Sequence, residues 1–162
     1  MNATSLSLEN TSQQSPDKWD ERFIRLAKEV ATWSKDPSRK IGCVAVKNRR
    51  VLATGYNGLP KGIPDSPDIL DNRELKYKLV VHGEMNCIYN AAANGASLEG
   101  STVYVTTLPV CSECAKGLIQ SGVSRVVMAT ELPIPDKWVE SFELTKTMFQ
   151  QCGIDYSFID LT

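Results

Sequence analysis

No stretch of the sequence approaches the roughly 18 consecutive apolar residues that a membrane-spanning helix needs. The N-terminus lacks a basic segment followed by an apolar core, so no secretory signal is expected. There is no excess of positive charge. The net charge is −1 and the pI about 5.9, which argues against a domain whose main task is holding duplex DNA or RNA. A small anionic substrate stays open, because it needs only a few cations. The cysteines, Cys43, Cys87, Cys111, Cys114 and Cys152, are odd in number and lack the spacing of a disulfide framework. They read as reduced, in a soluble protein of the cytoplasm. Histidine is scarcest: His82 is the only one.

What is present fits one soluble globular domain. The 162 residues are enough for one full core, and 42% hydrophobic with 23% charged residues is an ordinary globular balance. Ten of the 18 Lys and Arg residues fall between Lys18 and Arg50; most read as a solvated helix face and a hairpin turn, and a few are candidates to face an anion.

Residues 1–14 are polar and read as a poorly ordered tail, which leaves 15–162 as a single domain. Ser15-Pro16-Asp17 predicts a helix start, and Phe23, Leu26, Ala27 and Val30 carry that helix to about Ser34. Ile41 to Val46 and Val51 to Tyr56 read as a buried β-hairpin turning at Asn48-Arg49-Arg50. Residues 57–72 read as a long loop of the functional kind. A helix then holds Met85, Ile88, Tyr89 and Ala92 and ends at Gly95. Thr102 to Thr107 is a strand, Ala115 to Gly122 marks a helix, and Arg125 to Ala129 is a strand. Asp136 to Gln151 is a helix, and Ile154 to Ile159 a last strand. The order α-β-β-α-β-α-β-α-β predicts an α/β fold, with at least partly parallel pairing and helices on both sheet faces.

His82 falls where the second helix begins. Cys111-Ser112-Glu113-Cys114 follows 29 residues later, where the third begins. One helix and one strand separate them, so both helix starts should lie at one end of the sheet and bring His82, Cys111 and Cys114 to one point. Three ligands of N, S, S type suit tetrahedral zinc with a position left open for water, which marks catalytic rather than structural zinc. Glu84, two residues beyond the histidine, can face the site without binding metal and move protons. Half of a structural zinc clip and a redox pair are the competing readings. No second Cys-x-x-Cys is present to complete a clip, and Cys-Ser-Glu-Cys lacks the usual redox flanks. Cys43 and Cys87 look like core residues.

His-x-Glu followed by Cys-x-x-Cys is the zinc deaminase signature. The sequence also resembles the deoxycytidylate (dCMP) deaminases in Ser34-Lys35-Asp36-Pro37-Ser38, Ile41-Gly42-Cys43, Gly55-Tyr56-Asn57-Gly58-Leu59-Pro60, Lys76-Tyr77, His82-Gly83-Glu84-Met85-Asn86 and Cys111-Ser112-Glu113-Cys114-Ala115-Lys116. The similarity spans roughly residues 18–130. It implies a cytidine deaminase-like three-layer αβα sandwich around a five-stranded mixed sheet. It implies hydrolysis of an amidine C–N bond by a zinc-activated water at C4 of cytosine, with Glu84 carrying protons to N3 and to ammonia. The product dUMP would supply thymidylate synthesis. Asn57 matches the asparagine that contacts the sugar, although it also suits an Asn-Gly turn. The Gly83 amide would meet the pyrimidine O2, and a main-chain carbonyl around Leu108 the amino group. Ser34, Lys35, Arg39 and Lys76 are candidates for the 5′-phosphate, and Tyr77 either closes the site or sits in the core. The resemblance further implies a homo-oligomer, as large as a hexamer, and dCTP and dTTP as effectors.

Three departures from that pattern matter. Gly83 stands where the family usually has Ala, which suggests room for a 5-substituted pyrimidine such as 5-methyl-dCMP. Pro109 comes one place early, so Val110 precedes Cys111. Residues 58–81 hold neither Cys nor His, so one zinc ion per chain is expected and no second structural one. Deamination of another cytosine nucleoside or nucleotide, and a zinc-bearing regulatory subunit without activity, are the alternatives.

Overall fold

The protein is described by a computed structural model over residues 16–160. The tail expected over residues 1–14, and Ser15, lie outside the described residues. Helix α1 (Lys18–Ala31) starts at Asp17. The Asp17 carboxylate accepts from the N–H groups of Trp19 and Asp20, and Asp20 returns the bond to the Asp17 N–H. This reciprocal cap displaces the start expected from Ser15 and Pro16, because it satisfies three main-chain donors at once. The helix ends at Ala31, short of the expected Ser34.

Strands β1 (Gly42–Lys47) and β2 (Arg50–Tyr56) form the hairpin. Its two turn residues, Asn48 and Arg49, have φ of 52° and 62°, the paired positive values that suit the strand twist. The segment expected to be loop folds in part. Short helix α2 (Pro67–Leu70) and then α3 (Arg73–Leu79) precede α4 (Gly83–Ala93). Helix α3 went unread because it has no apolar stripe: of its residues only Lys76 is buried. Strand β3 (Thr102–Thr107), helix α5 (Ser112–Gln120), strand β4 (Arg125–Thr130), helix α6 (Asp136–Cys152) and strand β5 (Asp155–Phe158) complete the chain.

The strand order is β2-β1-β3-β4-β5. The pairs β1/β2 and β1/β3 are antiparallel, β3/β4 and β4/β5 parallel, which makes the five-stranded mixed sheet. Alternation along the strands divides the core. Val44, Tyr104 and Val127 pack with Phe23, Ile24 and Ala27 of α1 on one face. Cys43, Ala45, Val103, Val105, Val126 and Met128 pack on the other with Cys87, Leu118, Phe142 and Phe149 of α4, α5 and α6. The result is three layers, αβα. No helix among the described residues is long and apolar enough to cross a membrane.

Two contacts fix α4, which carries much of the site. A Cβ at Gly55 would stand 2.2 Å from the Cys87 nitrogen and 2.4 Å from the Gly83 oxygen, so only glycine lets α4 lie this close to β2. The Asn86 and Asn90 amides then donate to the Tyr56 and Thr54 carbonyls, each at 2.8 Å. These bonds cover the open edge of β2 and set the helix along it.

Candidate active site

His82 and Cys111 occupy the N-cap positions of α4 and α5. Such positions usually carry a side chain that caps the helix, and here neither does. Both turn to a shared point instead. His82 Nδ1 lies 3.4 Å from Cys111 Sγ and 3.3 Å from Cys114 Sγ, and all three ligand atoms lie within 4.8 Å of one another. Zn–S of about 2.3 Å and Zn–N of about 2.0 Å in a tetrahedron put two ligand atoms about 3.5 Å apart, so the donor set fits zinc. Among the described residues no other group of three ligands is so arranged. The three groups share protons through their hydrogen bonds: the bond to Cys111 raises His82 to about 9. Hydrogen bonds from Cys114 and then His82 bring Cys111 down to about 4, against the effect of burial. Cys43 and Cys87 are buried in the core and take no part.

Glu84 follows in the first turn of α4 and is 3% exposed. Burial pushes its carboxyl up. Its Oε1 has no hydrogen-bond partner although it is fully enclosed. A buried carboxylate oxygen left unpaired is costly, and here it belongs to the lining of a cavity beside the ligand cluster.

That cavity measures about 360 Å³. Half-buried His82 and buried Glu84, Asn57 and Cys111 form its floor; Leu108 and Pro109, the 36–41 stretch, α3 and the start of α6 form its walls. Of the sequence candidates, Arg39, Lys76, Tyr77 and Leu108 reach it. Asn57 reaches it with its side chain already engaged. Its Oδ1 accepts from the Ile41 N–H at 2.9 Å, and its Nδ2 donates to the Arg39 carbonyl at 2.9 Å. Lys76 is buried against Asp36 at 3.1 Å. Tyr77 is 47% exposed at the mouth, not in the core.

Ser34 and Lys35 are not brought to the cavity. Ser34 is buried and donates to the Asn57 carbonyl at 2.8 Å, while Lys35 pairs with Asp65 outside. Gly83 lies behind the lining. A Cβ there would meet Ile41 Cγ2 and O, both at 3.3 Å, so the missing methyl spares the Ile41 wall a tight contact.

The sequence reading missed Arg73, Lys137 and Trp138. Arg73 and Lys137 flank the Tyr77 ring at 5.5 and 4.7 Å. The Lys137 ammonium donates to the Tyr77 hydroxyl, which lowers the Tyr77 pKa. The Trp138 ring stands edge-on to His82 with centroids 6.2 Å apart. No spacing in the sequence says that α6 begins over the mouth. The nearest signal is the Pro-rich connection before it, which marks the helix start but not its place.

An N, S, S ligand cluster and an unpaired buried carboxylate on the floor of one cavity fit the class of zinc-dependent hydrolytic deaminases. Comparison with known proteins agrees. Residues 17–130 match the family described as the cytidine and deoxycytidylate deaminase zinc-binding region, and the chain belongs to that family. It is a hydrolase acting on a C–N bond. An uncharacterized deaminase of the luxG 3′ region of Aliivibrio fischeri is 38% identical over 89% of this chain and 95% of its own length. The deoxycytidylate deaminase of Mus musculus is 35% identical over 86% of this chain and 78% of its own. Among solved structures, dCMP deaminase from the cyanophage S-TIM5, in complex with dCMP and dUMP, superposes with a TM-score of 0.72 at 25% identity. That match covers 90% of this chain and 100% of the other.

Proposed function

We propose that the chain converts dCMP to dUMP and ammonia, and so feeds thymidylate synthesis, with one zinc held by His82, Cys111 and Cys114. One observation carries this reading: a single cavity joins an unpaired buried carboxylate and a metal-ligand cluster at its floor to exposed cations at its mouth. Arg39, Arg73 and Lys137 have no carboxylate partner within ion-pair distance among the described residues, so they are available to an anion. A nucleotide satisfies both ends, base down and phosphate out. The relatives named deoxycytidylate deaminase support the same substrate.

Zinc supplies the positive charge that makes a water nucleophilic at neutral pH. Glu84 takes one proton of the attacking water and hands it to N3 of the pyrimidine; it then takes the second from the hydroxyl added at C4 and gives it to the amino group, which leaves as ammonia as the C4–N bond breaks. The Leu108 main chain and the Ile41 side chain hold the ring. Arg39, Arg73 and Lys137 hold the phosphate, and Trp138 and Tyr77 screen the floor from bulk water.

The test is ammonia release from cytosine, cytidine, deoxycytidine, CMP, dCMP, 5-methyl-dCMP and dCTP, with Glu84→Ala as control. The highest kcat/KM is expected on dCMP. A higher value on deoxycytidine overturns the role of the cations, and activity surviving in Glu84→Ala overturns the mechanism.

A further inference from the structure

Thr107 ends β3 with a φ of +79°. A β-branched residue seldom adopts this region, because its Cβ crowds the main chain. The Leu108 N–H donates to the Thr106 carbonyl at 3.0 Å, so the chain reverses within three residues, a γ-turn of the rare positive-φ kind. Glycine would adopt this turn without strain; threonine holds it with its hydroxyl. Thr107 Oγ1 donates to the Lys40 carbonyl at 2.7 Å, and the Thr107 carbonyl accepts from the Glu131 N–H at 3.0 Å.

These bonds join two walls of the cavity. Lys40 directly precedes Ile41, and Thr107 directly precedes Leu108; Ile41 and Leu108 both line the cavity that Glu84 lines. The chain beyond has no slack. Val110 is fully buried, and its carbonyl accepts from Thr145 Oγ1 at 2.8 Å. A shift at Thr107 therefore falls on Leu108 and Pro109, between one pinned point and the next. The early Pro109 and the extra Val110 before Cys111 lie in this same span.

We propose that Thr107 is a positioning residue for the deamination: its hydroxyl, bonded to the Lys40 carbonyl, holds the strained turn that sets the Leu108 main chain against the substrate ring. This rests on the reading of the cavity as the substrate site. Displacing a ring from its reacting geometry by a fraction of an ångström lowers turnover far more than it weakens binding through a distant phosphate.

The test compares Thr107→Val, Thr107→Gly and Thr107→Ser with the wild-type chain. Each is assayed on whichever cytosine compound the wild type deaminates fastest, with zinc content and melting temperature measured in parallel. Glycine takes φ +79° freely, so Thr107→Gly separates loss of the hydroxyl from failure to fold. In Thr107→Val and Thr107→Gly, kcat is expected to fall about tenfold or more, with KM changing less than kcat and zinc content unchanged. Thr107→Ser restores most of kcat. A smaller fall in Thr107→Gly, a fall that tracks zinc loss, or no recovery in Thr107→Ser overturns the proposal. If the best substrate is not dCMP, the substrate reading fails while the comparison at Thr107 stands.

Discussion

Lys76 Nζ lies 3.1 Å from Asp36 Oδ1, and both side chains are buried in the wall of the catalytic cavity. The same ammonium donates to Ser38 Oγ at 3.1 Å, and the same carboxylate oxygen accepts from the Ser38 N–H at 2.8 Å. The pair therefore clamps α3 to the 36–39 stretch. Lys76→Met leaves a buried carboxylate without its partner and is expected to lower unfolding free energy by about 3 kcal/mol. Urea denaturation checks this. The double variant with Asp36→Leu should lose less than the sum of the two single changes. An unchanged urea midpoint with a raised KM would instead make Lys76 a direct ligand of substrate.

Arg73 and Lys137 present the opposite case, exposed charges on two different elements that meet at Tyr77. Neither holds the fold together. Each substitution to Ala is expected to raise KM for dCMP about tenfold, the worth of one charge-assisted hydrogen bond to phosphate. The kcat and the melting temperature should stay near wild type. Steady-state kinetics with deoxycytidine is the control, since without a phosphate the two variants should match the wild-type chain.

The Oε1 of Glu84 is buried without a hydrogen-bond partner, which costs stability, and in the proposed mechanism the carboxylate is the group that carries protons. Glu84→Gln keeps its shape and removes its proton transfer. Turnover is expected to fall at least about a thousandfold, zinc content to match the wild-type chain, and stability to hold or rise. Metal analysis and thermal melting on the same preparation decide this. A variant that loses its zinc would make Glu84 part of the metal site.

The features legible in the sequence are those set by local periodicity and by scarcity. The five strands follow from short apolar, β-branched or aromatic runs, and His82, Cys111 and Cys114 from having almost no competitors. Ser34 and Lys35, candidates by resemblance, do not line the cavity, because a matching stretch of sequence does not say which side of a turn faces it. Ser34 turns inward to the Asn57 carbonyl, and Lys35 turns out to Asp65. Arg73, Lys137 and Trp138 were missed for the converse reason. They reach the site only because α3 and α6 fold back over it, a tertiary relation with no fixed spacing. Gly83 was legible as a departure but not in its effect, since its neighbour Ile41 comes from another element.

Asp20 offers a test of the fold away from the site. It is buried, takes paired bonds from Arg125 at 2.8 and 2.9 Å, and accepts from the Tyr104 hydroxyl at 2.8 Å. Burial pushes its carboxyl up, but the bonds from Arg125 and Tyr104 outweigh this and hold it below the ordinary 3.8. As pH falls, the unfolded chain therefore takes up this proton before the native one does. The stability contributed by Asp20 is fully present above the ordinary carboxyl value and is lost as pH drops through the lowered native value. Asp20→Asn keeps the shape and an acceptor for Tyr104 but removes the charge. The gap in unfolding free energy between wild type and variant should be widest near neutral pH and should close as pH falls below about 4. Urea titrations at several pH values measure it. A gap that stays constant across that range would mean that Asp20 ties α1 to β3 and β4 by packing alone.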